Sequence, residues 1–212
     1  MASNYKLLLF DMDGTIADTD EMVYRTFVDL YERYGHGFMR PREEIMYFSG
    51  PPIRETLVKE FPDVNYDEIL KAFTDISDPY YDQTVTIFPH EIDTLEYLYN
   101  KGYKMGVVTN KATYKAHYVL KMLKLDKYFE VLIGREDVVK GKPSGEGILN
   151  AMKNYPYKKE EVLYIGDNDI DYLTAVDAGV DCMLVSWGPR KLKLLDKSKY
   201  VIRKYEEMEE IL

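Results

Sequence analysis

The chain has 212 residues, of which 46% are hydrophobic and 31% charged, and its formal net charge is -9. This length suits one domain, or a core domain with a small inserted one, and the composition is that of a folded globular protein. The negative charge argues against a nucleic-acid or anionic-membrane partner. Apolar runs are too short to cross a bilayer and no signal-peptide pattern opens the sequence, so we expect a cytoplasmic monomer or homodimer.

Cysteine and histidine chemistry is not indicated. Cys182 is the only cysteine, so it cannot form an internal disulfide, and its apolar surroundings predict a buried strand position. His36, His90 and His117 lie far apart without a metal-ligand spacing, and we expect them in surface or loop positions.

Apolar segments of strand length recur along the chain, at 5–10, 103–108, 131–134, 162–165 and 182–187. Helical patterns separate the later ones, and this alternation predicts a parallel α/β sheet, a Rossmann-like core. The segment 92–100 predicts one such helix, which stops at Gly102 and has an apolar face formed by Ile92, Leu95, Leu98 and Tyr99.

The segment between the first strand and about residue 85 is too long for a single crossover and contains no convincing strand. It predicts a helical cap domain at 17–84, inserted into a core domain formed by 1–16 and 85–212. We expect four helices in the cap, because helix starts and apolar periodicity recur there.

The first cap helix begins near Thr19 or Asp20 and ends at Gly35, with apolar positions at Val23, Phe27, Leu30, Tyr31 and Tyr34. Pro41 opens the second. Pro51 and Pro52 open the third, and its inward positions are predicted to be Ile53, Leu57, Val58 and Phe61. The fourth is marked by Ile69, Leu70 and Phe73.

Carboxylates follow two of the predicted strands. Asp11 and Asp13 come directly after the first strand and run into Gly14, while Asp167 and Asp171 follow the strand at 162–165. An acidic turn explains the first pair equally well when it is taken alone. Carboxylates gathered at one sheet edge repel one another unless a hard cation lies among them, and Mg²⁺ is the usual oxygen-ligated choice.

A calcium-binding EF-hand is an alternative, because Asp167, Asp169 and Asp171 have the spacing of its first three ligands. The sixth position is Tyr172 instead of glycine and the twelfth is Ala178 instead of glutamate. A strand also precedes the motif where a helix is required, so we reject the calcium interpretation.

Two further groups could bind phosphate. Thr109 and Asn110 end the strand at 103–108 and precede a helix, although such residues are more often simple N-caps. Lys142 lies between Gly141 and Pro143, which fix a loop that could direct its ammonium inward; the alternative is a surface lysine.

Taken in order, these motifs resemble those of the haloacid-dehalogenase-like hydrolase superfamily over essentially the whole chain. They are the hydrophobic strand with Asp11-Met12-Asp13-Gly14-Thr15, then Thr109-Asn110, then Lys142-Pro143, and finally Gly166-Asp167 with Asp171. The helical insertion resembles that family's four-helix cap.

The resemblance implies a phosphatase with an aspartyl-phosphate intermediate. Asp11 would be the nucleophile and Asp13 the acid and then the base. Mg²⁺ would be held by Asp11, the backbone carbonyl of Asp13 and Asp167, with Asp171 as a further or indirect ligand. Thr109, Asn110 and Lys142 would hold the phosphoryl oxygens.

The substrate implied is a small phosphate ester. The cap segment 47–54 and the run Thr109-Asn110-Lys111 resemble those of phosphoglycolate phosphatases and related pyrophosphatases, which implies substrate contacts at Gly50, Arg54 and Lys111. A solvated cap-helix residue is an equal explanation of Arg54. A β-phosphoglucomutase-like phosphotransferase shares the same core and cap, and a phosphoaccepting signalling module is a more distant alternative.

Overall fold

The computed structural model describes residues 4–212, so residues 1–3 of the predicted core segment lie outside the described residues. The strands are β1 (Leu7–Phe10), β2 (Lys104–Val108), β3 (Val131–Ile133), β4 (Val162–Gly166), β5 (Asp181–Val185) and β6 (Tyr200–Ile202). The α-helices are α1 (Asp20–Tyr34), α2 (Arg42–Ile45), α3 (Ile53–Glu60), α4 (Tyr66–Thr84), α5 (Glu91–Asn100), α6 (Thr113–Met122), α7 (Glu146–Met152), α8 (Asp169–Ala178) and α9 (Glu207–Ile211).

The described strands form one parallel sheet in the order β3-β2-β1-β4-β5-β6. The predicted parallel α/β architecture is therefore confirmed. The first strand lies in the middle, where Phe10 pairs with Val107 of β2 and Ile165 of β4. The carboxyl ends of these three strands consequently meet at one edge of the sheet.

Side chains of β1 alternate between the two faces of the sheet, as the pleat of a strand requires. Leu8 and Phe10 belong to a hydrophobic cluster that also contains residues of α5, α6 and α9. Leu7 and Leu9 belong to a second cluster with residues of α7 and α8. Helices thus cover both faces, and β1 is buried along its whole length.

Four helices, α1 to α4, lie between β1 and α5, as the sequence predicts. The two segments that join them to the sheet are paired, because the backbones of Asp18 and Thr86 exchange hydrogen bonds of 2.8 and 3.3 Å. Helix α1 packs against α4, and Phe27 of α1 lies 6.1 Å from Phe73 of α4 between ring centroids. The exact domain boundaries, 17 and 84, stay a prediction.

Some predicted faces are wrong. Val58 of α3 is 49% exposed rather than inward, because it follows the buried Thr56 and Leu57 and its position turns to solvent. In α5, Ile92 and Tyr99 are exposed while Leu95 and Leu98 are buried. The buried face continues through Glu91 and Thr94, which lie four residues before Leu95 and Leu98 respectively. The sequence analysis also missed β6, a three-residue strand at the sheet edge.

Cys182 is buried, and all three histidines are exposed, as predicted. None of the helices within residues 4–212 combines the length and the apolar character that crossing a membrane requires.

Candidate active site

Three strand ends bring the predicted polar residues to the centre of the sheet edge. Asp11 directly follows β1 and Thr109 directly follows β2, while Asp167 follows β4. Their backbones continue the sheet, since the Asp11 N–H donates to the Ile165 carbonyl at 2.8 Å. The rigid sheet therefore fixes where each side chain begins.

Three buried carboxylates cluster at this edge. Asp11, Asp167 and Asp171 each have an oxygen within 4.8 Å of the others. Both carboxylate oxygens of Asp11 are buried; Oδ1 lies 2.7 Å from the Lys142 ammonium, and Oδ2 has no hydrogen-bond partner. Burial raises the pKa of Asp11 to about 6, against the lowering effect of Lys142. Such a site attracts a further cation, because three buried carboxylates lie together and Asp11 Oδ2 has no donor to satisfy it.

Lys142 is a buried cation between two of these carboxylates. Its Nζ lies 2.7 Å from Asp11 Oδ1 and 2.6 Å from Asp171 Oδ1. Burial alone would lower the pKa of Lys142, but Asp11 and Asp171 hold that pKa above its ordinary value. The other oxygen of Asp171 accepts the Asn168 N–H at 3.0 Å. Asp171 therefore uses both oxygens for protein contacts, whereas Asp11 does not.

Lys111 pairs with the second aspartate of the first motif. Its Nζ lies 2.7 Å from Asp13 Oδ1 and 2.8 Å from Oδ2, and 5.0 Å from the ring centroid of Tyr81. Burial would lower the pKa of Lys111, but Asp13 raises it well above its ordinary value. The Lys111 ammonium, which was predicted to contact substrate, thus forms an ion pair with Asp13.

Asn110 joins the sheet edge to two loops. Its side-chain oxygen accepts the Lys142 N–H at 2.8 Å, and its Nδ2 donates to the carbonyls of Gly50 at 3.1 Å and Lys142 at 3.3 Å. The Thr109 hydroxyl accepts the Lys111 N–H at 3.2 Å, which is an N-cap-like contact. These bonds fix the lysine loop and the cap loop relative to β2.

Gly50 has a backbone φ of +104°, a conformation that favours glycine. A side chain there would also press on the Asn168 amide, whose Nδ2 would lie 2.8 Å from an added Cβ. Asn168 in turn donates to the Ser49 carbonyl at 3.4 Å. The close approach that glycine permits here is therefore to Asn168.

A cavity of about 800 Å³ lies between the sheet edge and the cap helices. Arg54 lies at the cavity with its guanidinium 4.4 Å from the ring centroid of Tyr66. The residues predicted to act on substrate all line this cavity: Asp11, Asp13, Gly50, Arg54, Thr109, Asn110, Lys111 and Lys142. Its cap side is largely apolar, formed by Phe27, Phe48, Ile53, Leu70 and Phe73.

Arg190 is a buried residue of this edge that the sequence analysis missed. Its Nε and Nη2 donate to Asp167 Oδ2 at 2.9 and 2.5 Å. Burial raises the pKa of Asp167 to about 7, against the lowering effect of Arg190. A signal was present, because Arg190 follows Gly188 and Pro189 just beyond the carboxyl end of β5, next to the strand that carries Asp167.

The amino-acid sequence matches a known protein family. Residues 8–185 match the model of the haloacid dehalogenase-like hydrolase family. A protein from Caldanaerobacter subterraneus subsp. tengcongensis, provisionally named pyrophosphatase PpaX, is 36% identical, with 91% of this chain and 86% of that protein covered. Pyrophosphatase PpaX of Anoxybacillus flavithermus is 33% identical, with 87% and 85% covered.

Solved structures share the whole fold. A hydrolase of the haloacid dehalogenase-like family from Streptococcus pneumoniae superposes with a TM-score of 0.81 at 24% identity, covering 98% of both chains. A predicted phosphoglycolate phosphatase from Haemophilus somnus 129PT gives a TM-score of 0.84 at 19% identity, covering 100% of this chain and 99% of that one. With the family model matched from β1 to the end of β5, the chain belongs to the haloacid dehalogenase-like hydrolases.

Proposed function

We propose that this chain is a Mg²⁺-dependent phosphatase that hydrolyses a small phosphate monoester through a phosphorylated Asp11. The supporting observation is the arrangement at Asp11, which lines the cavity with its carboxylate buried, Oδ1 beside the Lys142 ammonium at 2.7 Å and Oδ2 without a hydrogen-bond donor. A carboxylate is already a nucleophile at neutral pH and needs no separate base.

The donor set suits a hard divalent cation. Asp11 and Asp167 supply carboxylate oxygens, and the Asp13 backbone carbonyl is a further ligand in our proposal. Asp171 acts indirectly, because its oxygens are used by Lys142, Asn168 and the Tyr164 hydroxyl. When bound, Mg²⁺ offsets the negative charge of the carboxylates and the phosphoryl oxygens.

In the first step, an Asp11 oxygen forms a bond to phosphorus while the bond from phosphorus to the leaving oxygen breaks. Asp13 gives its proton to that oxygen, so the alcohol leaves neutral. In the second step, water attacks the phosphorus of the phosphorylated Asp11, and Asp13 takes a proton from it. The bond between Asp11 and phosphorus breaks, which releases phosphate and restores both carboxyl groups.

Positioned donors stabilise the phosphoryl oxygens during both steps. Lys142 brings a buried positive charge beside Asp11, Thr109 lines the same wall of the cavity, and Asn110 holds the Lys142 backbone through its side chain. Charge moves only between oxygens in this chemistry, so fixed donors in a site shielded from water supply much of the catalysis.

For the leaving group, we propose a small anion such as the glycolate of phosphoglycolate, bound by Arg54 at the cap side of the cavity. Arg54 is exposed at the cavity and stacks on Tyr66, so its guanidinium N–H groups can reach a ligand. The names of the relatives support a second candidate, pyrophosphate. Transfer to a sugar phosphate, as in a phosphoglucomutase, is a third possibility within the same family.

A phosphate-release screen tests the proposal. The panel contains phosphoglycolate, pyrophosphate, nucleotides and sugar phosphates, each with Mg²⁺ and with EDTA. We expect Mg²⁺-dependent release from at least one small ester, and product analysis of the sugar phosphates separates hydrolysis from phosphoryl transfer. No release from any compound would contradict the proposal.

A further inference from the structure

Arg190 joins three parts of the molecule although it lies outside every motif of the sequence. It is 6% exposed and follows β5 in the loop after Trp187, whose indole N–H donates to the Gly14 carbonyl at 3.0 Å. A guanidinium so deeply buried is costly unless its donors are used. The contacts of Arg190 therefore indicate what it does.

One edge of the Arg190 guanidinium donates its hydrogen bonds to Asp167. Nε and Nη2 both donate to Oδ2 of that carboxylate, at 2.9 and 2.5 Å. Two donors on one oxygen fix the rotation of the carboxylate and leave Oδ1 as the oxygen that can turn to a cation. Gly14 makes room for this pair, because an added Cβ would overlap Asp167 and Arg190.

The remaining nitrogen is held by the helical insertion. Nη1 donates to Asp20 Oδ1 at 2.8 Å and to the Met46 carbonyl at 2.9 Å. Asp20 is the first residue of α1, and Met46 follows α2. These acceptors keep the guanidinium from swinging towards the other carboxylates of the cluster.

Arg190 does not act on the substrate. Among the described residues that line the large cavity, Arg190 and Asp167 are both absent, whereas Asp11 and Lys142 are present. Lys142 forms ion pairs with Asp11 and Asp171, and Lys111 forms one with Asp13. Arg190 is the corresponding cation for Asp167, on the side away from the substrate.

We propose that Arg190 is a positioning residue for the metal, which holds Oδ2 of Asp167 so that Oδ1 is presented to the divalent cation and Mg²⁺ binds more tightly. The inference rests on the proposed function for the identity of the metal. It concerns binding and needs no turnover. Outer contacts of this kind typically change metal affinity by about 10- to 100-fold.

Isothermal titration calorimetry with MgCl₂ measures the Mg²⁺ affinity directly, at about pH 8 where free carboxyl groups are ionised. The first variant is Arg190→Met, which keeps a long side chain but removes all hydrogen-bond donors. The second is Arg190→Lys, which keeps the positive charge but loses the paired Nε and Nη2 donors. Asp20→Asn is the matched control, because it weakens the tie to α1 and leaves the Asp167 contact. Circular dichroism checks that each variant is folded.

We expect Arg190→Met to weaken Mg²⁺ binding by about 10- to 100-fold, Arg190→Lys to weaken it less, and Asp20→Asn to change it by less than about twofold. Unchanged or tighter binding in Arg190→Met would overturn the proposal, as would an equal loss in Asp20→Asn. If Arg190→Met does not fold, the Mg²⁺ affinity of Arg190→Lys tests the proposal instead. Wild-type affinity in that variant would contradict a role for the paired Nε and Nη2 donors. A wild-type chain that binds Mg²⁺ but releases no phosphate would contradict the proposed function and leave this inference standing.

Discussion

Lys111 and Asp13 form a two-point ion pair, in which the lysine Nζ lies 2.7 and 2.8 Å from the two carboxylate oxygens. The side chains are only 8% and 17% exposed, so the pair is largely shielded from water. In our mechanism Asp13 must point at the leaving oxygen and then at water. Lys111 therefore holds the proton-transferring group of our mechanism in place until substrate enters.

Replacing Lys111 by methionine should slow turnover strongly. Asp13 would lose the ion-pair partner that holds its side chain in place, and general acid–base catalysis is worth about 10²–10⁴-fold. We expect kcat to fall by at least about tenfold, measured as steady-state phosphate release. Lys121→Met, at an exposed position of α6, is the control, and kcat within twofold of wild type in Lys111→Met would contradict this role.

Replacing Lys142 by methionine should destabilise the metal-free protein. The substitution leaves Asp11 and Asp171 buried without their shared cation, and breaking a buried pair in this way costs about 3–5 kcal/mol. Urea unfolding in EDTA measures the loss. Lys140→Met, two residues away and exposed, should change the free energy of unfolding by less than about 0.5 kcal/mol. Equal stability of the two variants would show that Lys142 does not hold these carboxylates together.

Glu91 predicts a pH-dependent stability. It is fully buried, its Oε2 accepts the Phe88 N–H, and its Oε1 has no partner. Burial raises the pKa of Glu91 to about 9, from 4.5. The folded state thus keeps a proton that the unfolded chain releases between these two values, so this group lowers stability as pH rises through that window.

Glu91→Gln removes this titration and should stabilise the protein at about pH 8 by about 1–3 kcal/mol, with little difference near pH 4.5. Thermal unfolding at the two pH values measures the change. Glu96→Gln, on the exposed side of the same helix, is the control. A stability difference that does not grow with pH would exclude Glu91 as the source.

Arg54→Ala should change the ranking of substrates. If Arg54 binds the second anionic group of a substrate, kcat/KM for phosphoglycolate falls by about tenfold, or ~1.4 kcal/mol, while ethyl phosphate is unaffected. Lys59→Ala, which removes an exposed cation from the same helix, controls for net charge. The same ranking in wild type and Arg54→Ala would mean that Arg54 is only a solvated cap residue stacked on Tyr66.

Much of the fold could be predicted because local signals and tertiary packing agree in it. The start of α1 at Asp20, its end at Gly35 and the start of α3 after Pro52 lie where the sequence predicts them, although the Thr19 side chain makes no capping hydrogen bond and Gly35 keeps a helical φ of -82°. Strand β6 was missed because three residues give too short a pattern. Ile92 and Val58 were misplaced because hydrophobicity alone does not reveal which turn of a helix meets the core.

Some residues of the candidate active site could likewise be predicted from the sequence, and others could not. Asp11, Thr109 and Asp167 follow apolar strands, so a parallel sheet brings them together whatever its loops do. The position of Arg190 depends on the path of a loop after β5 and on acceptors in Asp20 and Met46, which are distant in sequence. The pairing of Lys111 with Asp13 likewise needs the three-dimensional structure, since 98 residues separate them.

Asp11 receives the phosphoryl group in our mechanism, and phosphate release by Asp11→Asn measures whether it does. The assay compares wild type, Asp11→Asn and the exposed control Asp126→Asn on the best ester of the panel, at equal Mg²⁺ and with folding checked by circular dichroism. We expect Asp126→Asn to match wild type and Asp11→Asn to release no phosphate above background. Substantial turnover by a folded Asp11→Asn would contradict the account.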